Sequence, residues 1–195
     1  MACYCGQDRH DHYKILNSNL VQMGFKYKLG LNTDVIPFSP YSCTPGGLNY
    51  STGVNIAMFA TFGTLIADVI VPEGSQVSHL HNLSKASSLV ISNIRPLVDF
   101  EKWKDPDWCM KAVQVNGLVL QFIKNQTFEL CYEAIRQDIL ALEFVQKQTY
   151  QLCRYAVCLN PYAITYIRNR TKKMWREAVR LAPILIYDED CPYLG

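Results

Sequence analysis

The feature that most constrains this chain is a 22-residue period in its C-terminal half. Four segments align without a gap: WCMKAVQVNGLVLQFIKNQTFE from Trp108, LCYEAIRQDILALEFVQKQTYQ from Leu130, LCRYAVCLNPYAITYIRNRTKK from Leu152 and MWREAVRLAPILIYDEDCPYLG from Met174. Ala112, Ala134, Ala156 and Ala178 recur, each followed by a β-branched residue. Leu120, Leu142, Ile164 and Ile186 match, as do the aromatics Phe122, Phe144 and Tyr166. Thr127, Thr149 and Thr171 stand at N-cap positions, and one period earlier the pair Asp105–Pro106 offers the same start signal. Within the second unit Leu130, Ala134, Ile135 and Asp138 run down one helix at spacings of three and four. Gly117, Pro161 and Pro183 mark a break to a second helix, with Ile139 at that place in the second unit. A helix of about seven residues is unstable alone, so stacking must supply the burial. The expectation over 105–195 is an α-solenoid of about four 22-residue two-helix repeats, with the alanines at the closest helix approach. Cys109, Cys131 and Cys153 share one repeat position, where Trp175 replaces them in the last unit. That tryptophan and the polar ending DEDCPYLG read as the covered end of the stack.

Residues 13–104 show no such period and read as a small α+β module, preceded by a polar tail over 1–12. Tyr13–Leu16, Leu65–Val71 and Ser88–Ile91 read as strands, and Asn55–Phe62 as a helix stopped by Gly63. The stretch from Pro37 to Gly53 is rich in Pro, Gly, Ser and Tyr and reads as a loop that turns repeatedly. WKDPDW, Trp103 to Trp108, reads as the joint to the helical array. The fold class expected is therefore α+β followed by the α-solenoid.

Composition sets the outer limits. Of 195 residues, 49% are hydrophobic and 18% charged, which excludes a disordered chain. A net charge of +2 does not by itself point to nucleic acid or an anionic membrane. The opening MACYCGQDRHDHYK has no apolar core and is not read as a secretory signal. Val54–Val71 is apolar but interrupted by Asn55, Gly63 and Asp68, so no membrane span is expected. With no export signal, the eight cysteines imply a reducing compartment, and the N-x-S/T triplets at Asn49, Asn82, Asn125 and Asn169 would be idle.

The run YKILNSNLVQMGFKYKLGLNTDVIPF, then CTPGGLNYS, then GTLIADVIVPEGSQV, resembles the N-terminal module of paralogous proteins of mimivirus-like giant viruses of amoebae. In those proteins the module often precedes ankyrin arrays. The 22-residue units, with NG-LxLxFIKNQT and CxxAV, resemble a short helical repeat of unknown function from the same viruses. The resemblance implies a viral protein acting in the infected host cell, in the cytoplasm or the virion, and it transfers no catalytic residues. Directly after GGL this chain has Asn49, with Tyr50 following, where the family pattern has an aromatic.

Several constellations bear on chemistry. Cys3, Cys5, His10 and His12 form C-x-C-x4-H-x-H, four potential zinc ligands, although structural zinc sites favour C-x2-C and a frayed tail is the plainer reading. Cys3 and Cys5 are also candidate lipid acceptors. His79 and His81, with Cys43, would make a second zinc site or a Cys–His nucleophile pair. The loop TPGGLNYSTG lacks both the Lys-Ser/Thr ending of a P-loop and the spacing of G-x-G-x-x-G. Tyr50, Ser51 and Thr52 loosely match an ADP-ribosyltransferase-like strand, for which Glu73 is the nearest acidic candidate. The densest charge run holds Arg168, Arg170, Lys172, Lys173, Arg176 and Arg180, partly offset by Asp188, Glu189 and Asp190. With Tyr166 and Trp175 it forms a possible face for RNA, DNA or an acidic partner. The leading expectation is a non-enzymatic module for a host or viral protein, met at variable positions such as Gln114, Arg136, Arg154 and Arg176. The alternatives are an enzyme or zinc protein in the N-terminal module, or nucleic-acid binding by the basic run.

Overall fold

The computed structural model describes residues 11–41 and 44–193. The chain forms two compact units that divide between Phe100 and Glu101. In the N-terminal unit seven strands make one antiparallel sheet: β1 (His12–Leu16), β4 (Gly30–Thr33), β5 (Leu48–Thr52), β6 (Leu65–Ile70), β7 (Val77–His79), β8 (Ser84–Ala86) and β9 (Ser88–Pro96). A two-stranded ribbon, β2 (Val21–Gln22) and β3 (Phe25–Lys26), lies outside it. This corrects the three-strand, one-helix expectation. The end of the supposed loop, Leu48–Thr52, is a strand beside β1, and the helix read over Asn55–Phe62 is a 3-10 helix over Gly53–Phe59. Gly63 does not stop a helix; a Cβ there would overlap the carbonyl of Leu16.

The strand order is β4-β9-β6-β1-β5-β8-β7, and only Ser87 separates β8 from β9. In a flat sheet those two strands would stand about 19 Å apart at the usual strand spacing. The sheet therefore curls until one bent strand serves both sides. Ser87 also ties the two edges together: its N–H donates to Gln76 O and its carbonyl accepts from Asp34 N. Leu16, Tyr27, Leu48, Tyr50, Ala67, Val69, Leu89 and Ile91 fill the enclosed face. Lys14 shares that side of β1 with Leu16. It is 3% exposed, with Nζ 2.6 Å from Asn49 O and 4.4 Å from the Tyr27 ring centroid. Burial without an anionic partner pulls its pKa down to about 7.

The C-terminal unit corrects the fold class in a second way: it is not an α-solenoid of paired α-helices. Four ten-residue α-helices recur at the 22-residue step: α1 (Pro106–Val115), α2 (Phe128–Gln137), α3 (Tyr150–Leu159) and α4 (Lys172–Leu181). Between and after them come short 3-10 helices over Gly117–Phe122, Ile139–Phe144, Pro161–Tyr166 and Pro183–Tyr187. For the first three the physical reason lies in the residue before each short segment; the fourth follows Ala182, which makes no side-chain cap, and begins at Pro183. Asn116, Asp138 and Asn160 are fully extended, and each side chain accepts from the N–H two residues on, which starts a tight i→i+3 turn. Asp138 is thus a cap rather than a member of the α2 stripe.

Thr127, Thr149 and Thr171 accept from Leu130 N, Leu152 N and Met174 N, and Asp105 accepts from Asp107 N and Trp108 N. Ala112, Ala134, Ala156 and Ala178 are completely buried. A Cβ at Gly117 would overlap Ala134 O, so the backbone passes against α2 there. Trp103 is 6% exposed and stacks on Phe122 at 5.5 Å, so it belongs to the helical unit rather than to a linker.

A glutamine ladder crosses the period. Gln126 Nε2 donates to Leu120 O, Ile123 O and Phe144 O, and its Oε1 accepts from Gln146 N. One step on, Gln148 Nε2 donates to Leu142 O and Tyr166 O, and its Oε1 accepts from Arg168 N. Each amide joins one 22-residue block to the next through backbone groups. Gln148→Ala is expected to cost about 1–3 kcal/mol, because two part-buried carbonyls and the exposed N–H of Arg168 lose their partner. Chemical denaturation checks this, and a loss below about 0.5 kcal/mol would deny the ladder any structural weight.

Candidate interaction face

The α-helices bury one side and expose another in the same register. On α2 the exposed side carries Phe128, Tyr132 and Arg136; on α3, Tyr150, Arg154 and Cys158; on α4, Lys172, Arg176 and Arg180. These are i, i+4, i+8 positions, opposite the buried Leu or Met, Cys or Trp, and Ala of each helix. Contacts between helices make the exposed sides continuous. Tyr132 of α2 stacks on Tyr155 of α3 with centroids 4.0 Å apart, and Phe128 extends the row at 6.4 Å. Lys173 of α4 holds Nζ 5.4 Å from the Tyr150 ring centroid. Burial, then the hydrogen bond to Tyr132, push the Tyr155 phenol up to about 12.

The face is cationic toward α4: α3 and α4 together carry Arg154, Lys172, Lys173, Arg176 and Arg180 against Glu177. On α2 the charge is spent locally, with Arg136 bonded to both oxygens of Glu133 at 2.5 and 3.0 Å. Arg180 lies 3.6 Å from Glu177, an exposed pair of little energetic weight. Among the described residues Arg154, Lys172 and Arg176 have no ion-pair partner.

The basic run Arg168–Arg180 therefore divides in two. Arg168 donates to Gln146 O, Glu143 O and Val145 O at 3.2, 2.9 and 2.8 Å. Arg170 occupies the next rung of the glutamine ladder, donating to Ile167 O and Thr165 O and pairing with Asp190. A guanidinium has no acceptor, so the ladder changes chemistry at this rung and closes on a carboxylate. Both arginines line an open depression of about 560 Å³ with Lys172, Trp175, Asp190 and Pro192. Lys172, Lys173, Arg176 and Arg180 instead stand on the exposed side of α4. Trp175 is 2% exposed and contributes to the core rather than to a binding surface. Gln114, Arg136, Arg154 and Arg176 are all exposed on the α-helices. The Tyr132–Tyr155 pair was not singled out in the sequence; its only signal is an aromatic at outward positions of two successive blocks.

The N-terminal candidates fare differently. Cys3, Cys5, His10 and Cys43 lie outside the described residues. His12 begins β1 with its ring 5.1 Å from that of Tyr50, and burial, then the neighbouring charge of His79, lower its pKa. His79 Nδ1 is 3.1 Å from Ser84 Oγ, and His81 is exposed. Among the described residues no three His, Cys, Asp or Glu side chains gather to hold a metal ion. The five described cysteines are free thiols; Cys109 and Cys131 are pushed up to about 11 by burial. Tyr50 and Ser51 are 2% and 1% exposed, inside the folded sheet, while Glu73 is exposed in a turn. The glycine-rich loop already holds an anion, since Gly47 N donates to Asp34 Oδ2 at 2.8 Å. The buried Lys85 donates to Tyr41 O and Thr44 O and pins the same loop.

Among the described residues no helix is long and apolar enough to cross a membrane. No protein-family model, curated protein or solved structure matches the chain.

Proposed function

We propose that the protein is a non-enzymatic interaction module whose exposed α2–α4 face binds an anionic partner. The observation that carries this reading is the division of the basic run. Cations needed for the fold are bonded to carbonyls or Asp190, while Arg154, Lys172, Lys173 and Arg176 are exposed on α3 and α4, Lys173 over the exposed Tyr150 ring. Long cationic side chains held near rings with no internal partner retain their attraction for an outside anion. The resemblance to giant-virus proteins would put that partner in the infected cell or the virion.

The test is fluorescence anisotropy of labelled low-molecular-weight heparin against the intact chain at 50 and 200 mM NaCl. Binding is expected at the lower salt and should weaken roughly tenfold or more at the higher, since exposed charge contacts are screened. No binding at 50 mM, or binding indifferent to salt, would contradict the reading.

A further inference from the structure

The partner class can be narrowed, resting on the anionic-partner reading above. We propose that this face binds single-stranded nucleic acid, with bases stacking on the exposed rings of α2 and α3 and phosphates meeting the cations of α3 and α4.

Three observations carry this. First, Phe128, Tyr132 and Tyr155 already form a stack across two helices, with Phe128 and Tyr132 respectively 43% and 38% exposed. The outer side of such a row accepts one more flat ring without repacking, and every base offers a π-face. Second, Tyr150 is 42% exposed, with Lys173 over its ring, so a ring and a cation sit together where a base and its phosphate would. Third, the cations of α3 and α4 lie to one side of the Phe128–Tyr132–Tyr155 row. Arg154, Lys172, Lys173, Arg176 and Arg180 are on α3 and α4, while the stacked row is centred on α2 and the α2-facing side of α3. A polymer with flat bases on one edge and charge on the other matches that asymmetry. An acidic peptide matches the cations and leaves the rings without a specific occupant. Stacking on the exposed rings requires unpaired bases.

Two probes separate this inference from the broader reading: a fluorescein-labelled 20-nucleotide oligouridine and a fluorescein-labelled 20-residue polyglutamate, titrated with the intact chain. Oligouridine is expected to bind more tightly than polyglutamate at 50 mM NaCl. Five phosphate contacts on a single strand predict a slope of log affinity against log salt of about −3.5. Tyr132→Leu keeps an apolar side chain but removes the π-face and is expected to weaken oligouridine binding about 5- to 50-fold. Tyr150→Leu tests the same point at a more exposed ring and is expected to weaken it about fivefold or more, with polyglutamate binding unmoved by either variant. Oligouridine binding unchanged in both folded variants would overturn the stacking inference. Equal binding of the two probes would overturn it in favour of an acidic protein and leave the anionic-partner reading standing. If neither probe binds at 50 mM NaCl, both readings fall.

Discussion

Ala134→Trp is expected to unfold the C-terminal unit, with a loss of several kcal/mol in chemical or thermal denaturation. Ala134 has no exposed surface, and its carbonyl lies where a side chain at Gly117 would have to sit. An indole needs space that a close-packed interior does not hold, and overpacking by far smaller groups already costs about 1–3 kcal/mol. The same substitution at Gln114, exposed on α1, should change stability by less than about 1 kcal/mol. A thermal midpoint for Ala134→Trp within a degree or two of the wild type would show that α1 and α2 do not pack through this alanine.

The second large effect belongs to the N-terminal unit and concerns pH. Lys14 titrates near 7 when folded and near its ordinary 10.5 when unfolded. Between those values the unfolded chain binds a proton that the folded chain lacks, so stability rises with pH across that window. Below about 7 the lysine must be charged in both states, and the full cost of burying that charge is present. His12 adds in the same direction at lower pH. Its folded pKa lies below the usual value, so stability falls as acid carries the pH through it. Tyr27 opposes the trend only above about pH 10, because burial and then Asp34 raise its phenol.

The N-terminal unit is therefore expected to gain about 2 kcal/mol between pH 7 and pH 9. Lys14→Met should flatten that gain, whatever it does to the stability at one pH. Denaturation followed through the tyrosines of the sheet at pH 7, 8 and 9 reads the slope. An equal slope in the variant would mean that Lys14 stays charged in the fold.

What was legible in the sequence follows from length scale. The 22-residue spacing, three Thr caps and Asp105 locate all four α-helices, because an N-cap is a local bond between neighbours in sequence. The second segments were misread as α-helices because a run such as Ile139–Phe144 has the same apolar spacing in either helix type. What decides between them is the extended Asn or Asp before it, and Asp138 looked like one more residue on the α2 stripe. In the N-terminal half, most strands have two to five residues and leave too little alternation to read, and the β1 partner that makes Leu48–Thr52 a strand is 38 or more residues away. Nothing in YKIL announces a buried lysine, because only the curling of the sheet encloses both sides of β1.

The site was legible as a composition and not as a geometry. Six cations between Arg168 and Arg180 are visible in the sequence. That Arg168 and Arg170 are turned onto carbonyls contributed by residues 143 to 167 depends on contacts from 3 to 25 residues away. The outward rings of Tyr132 and Tyr155 meet only because consecutive α-helices lie side by side. Spacing alone marks such residues as variable and assigns them no common surface.

The division of the basic run is tested most directly by comparing Arg168→Gln with Arg176→Gln in their affinity for labelled heparin at 100 mM NaCl. Arg176→Gln is expected to bind about three- to tenfold more weakly, while Arg168→Gln, once shown to be folded, binds like the wild type. The opposite order, or equal losses in the two variants, would contradict the assignment of Arg168 to the fold and of Arg176 to the partner.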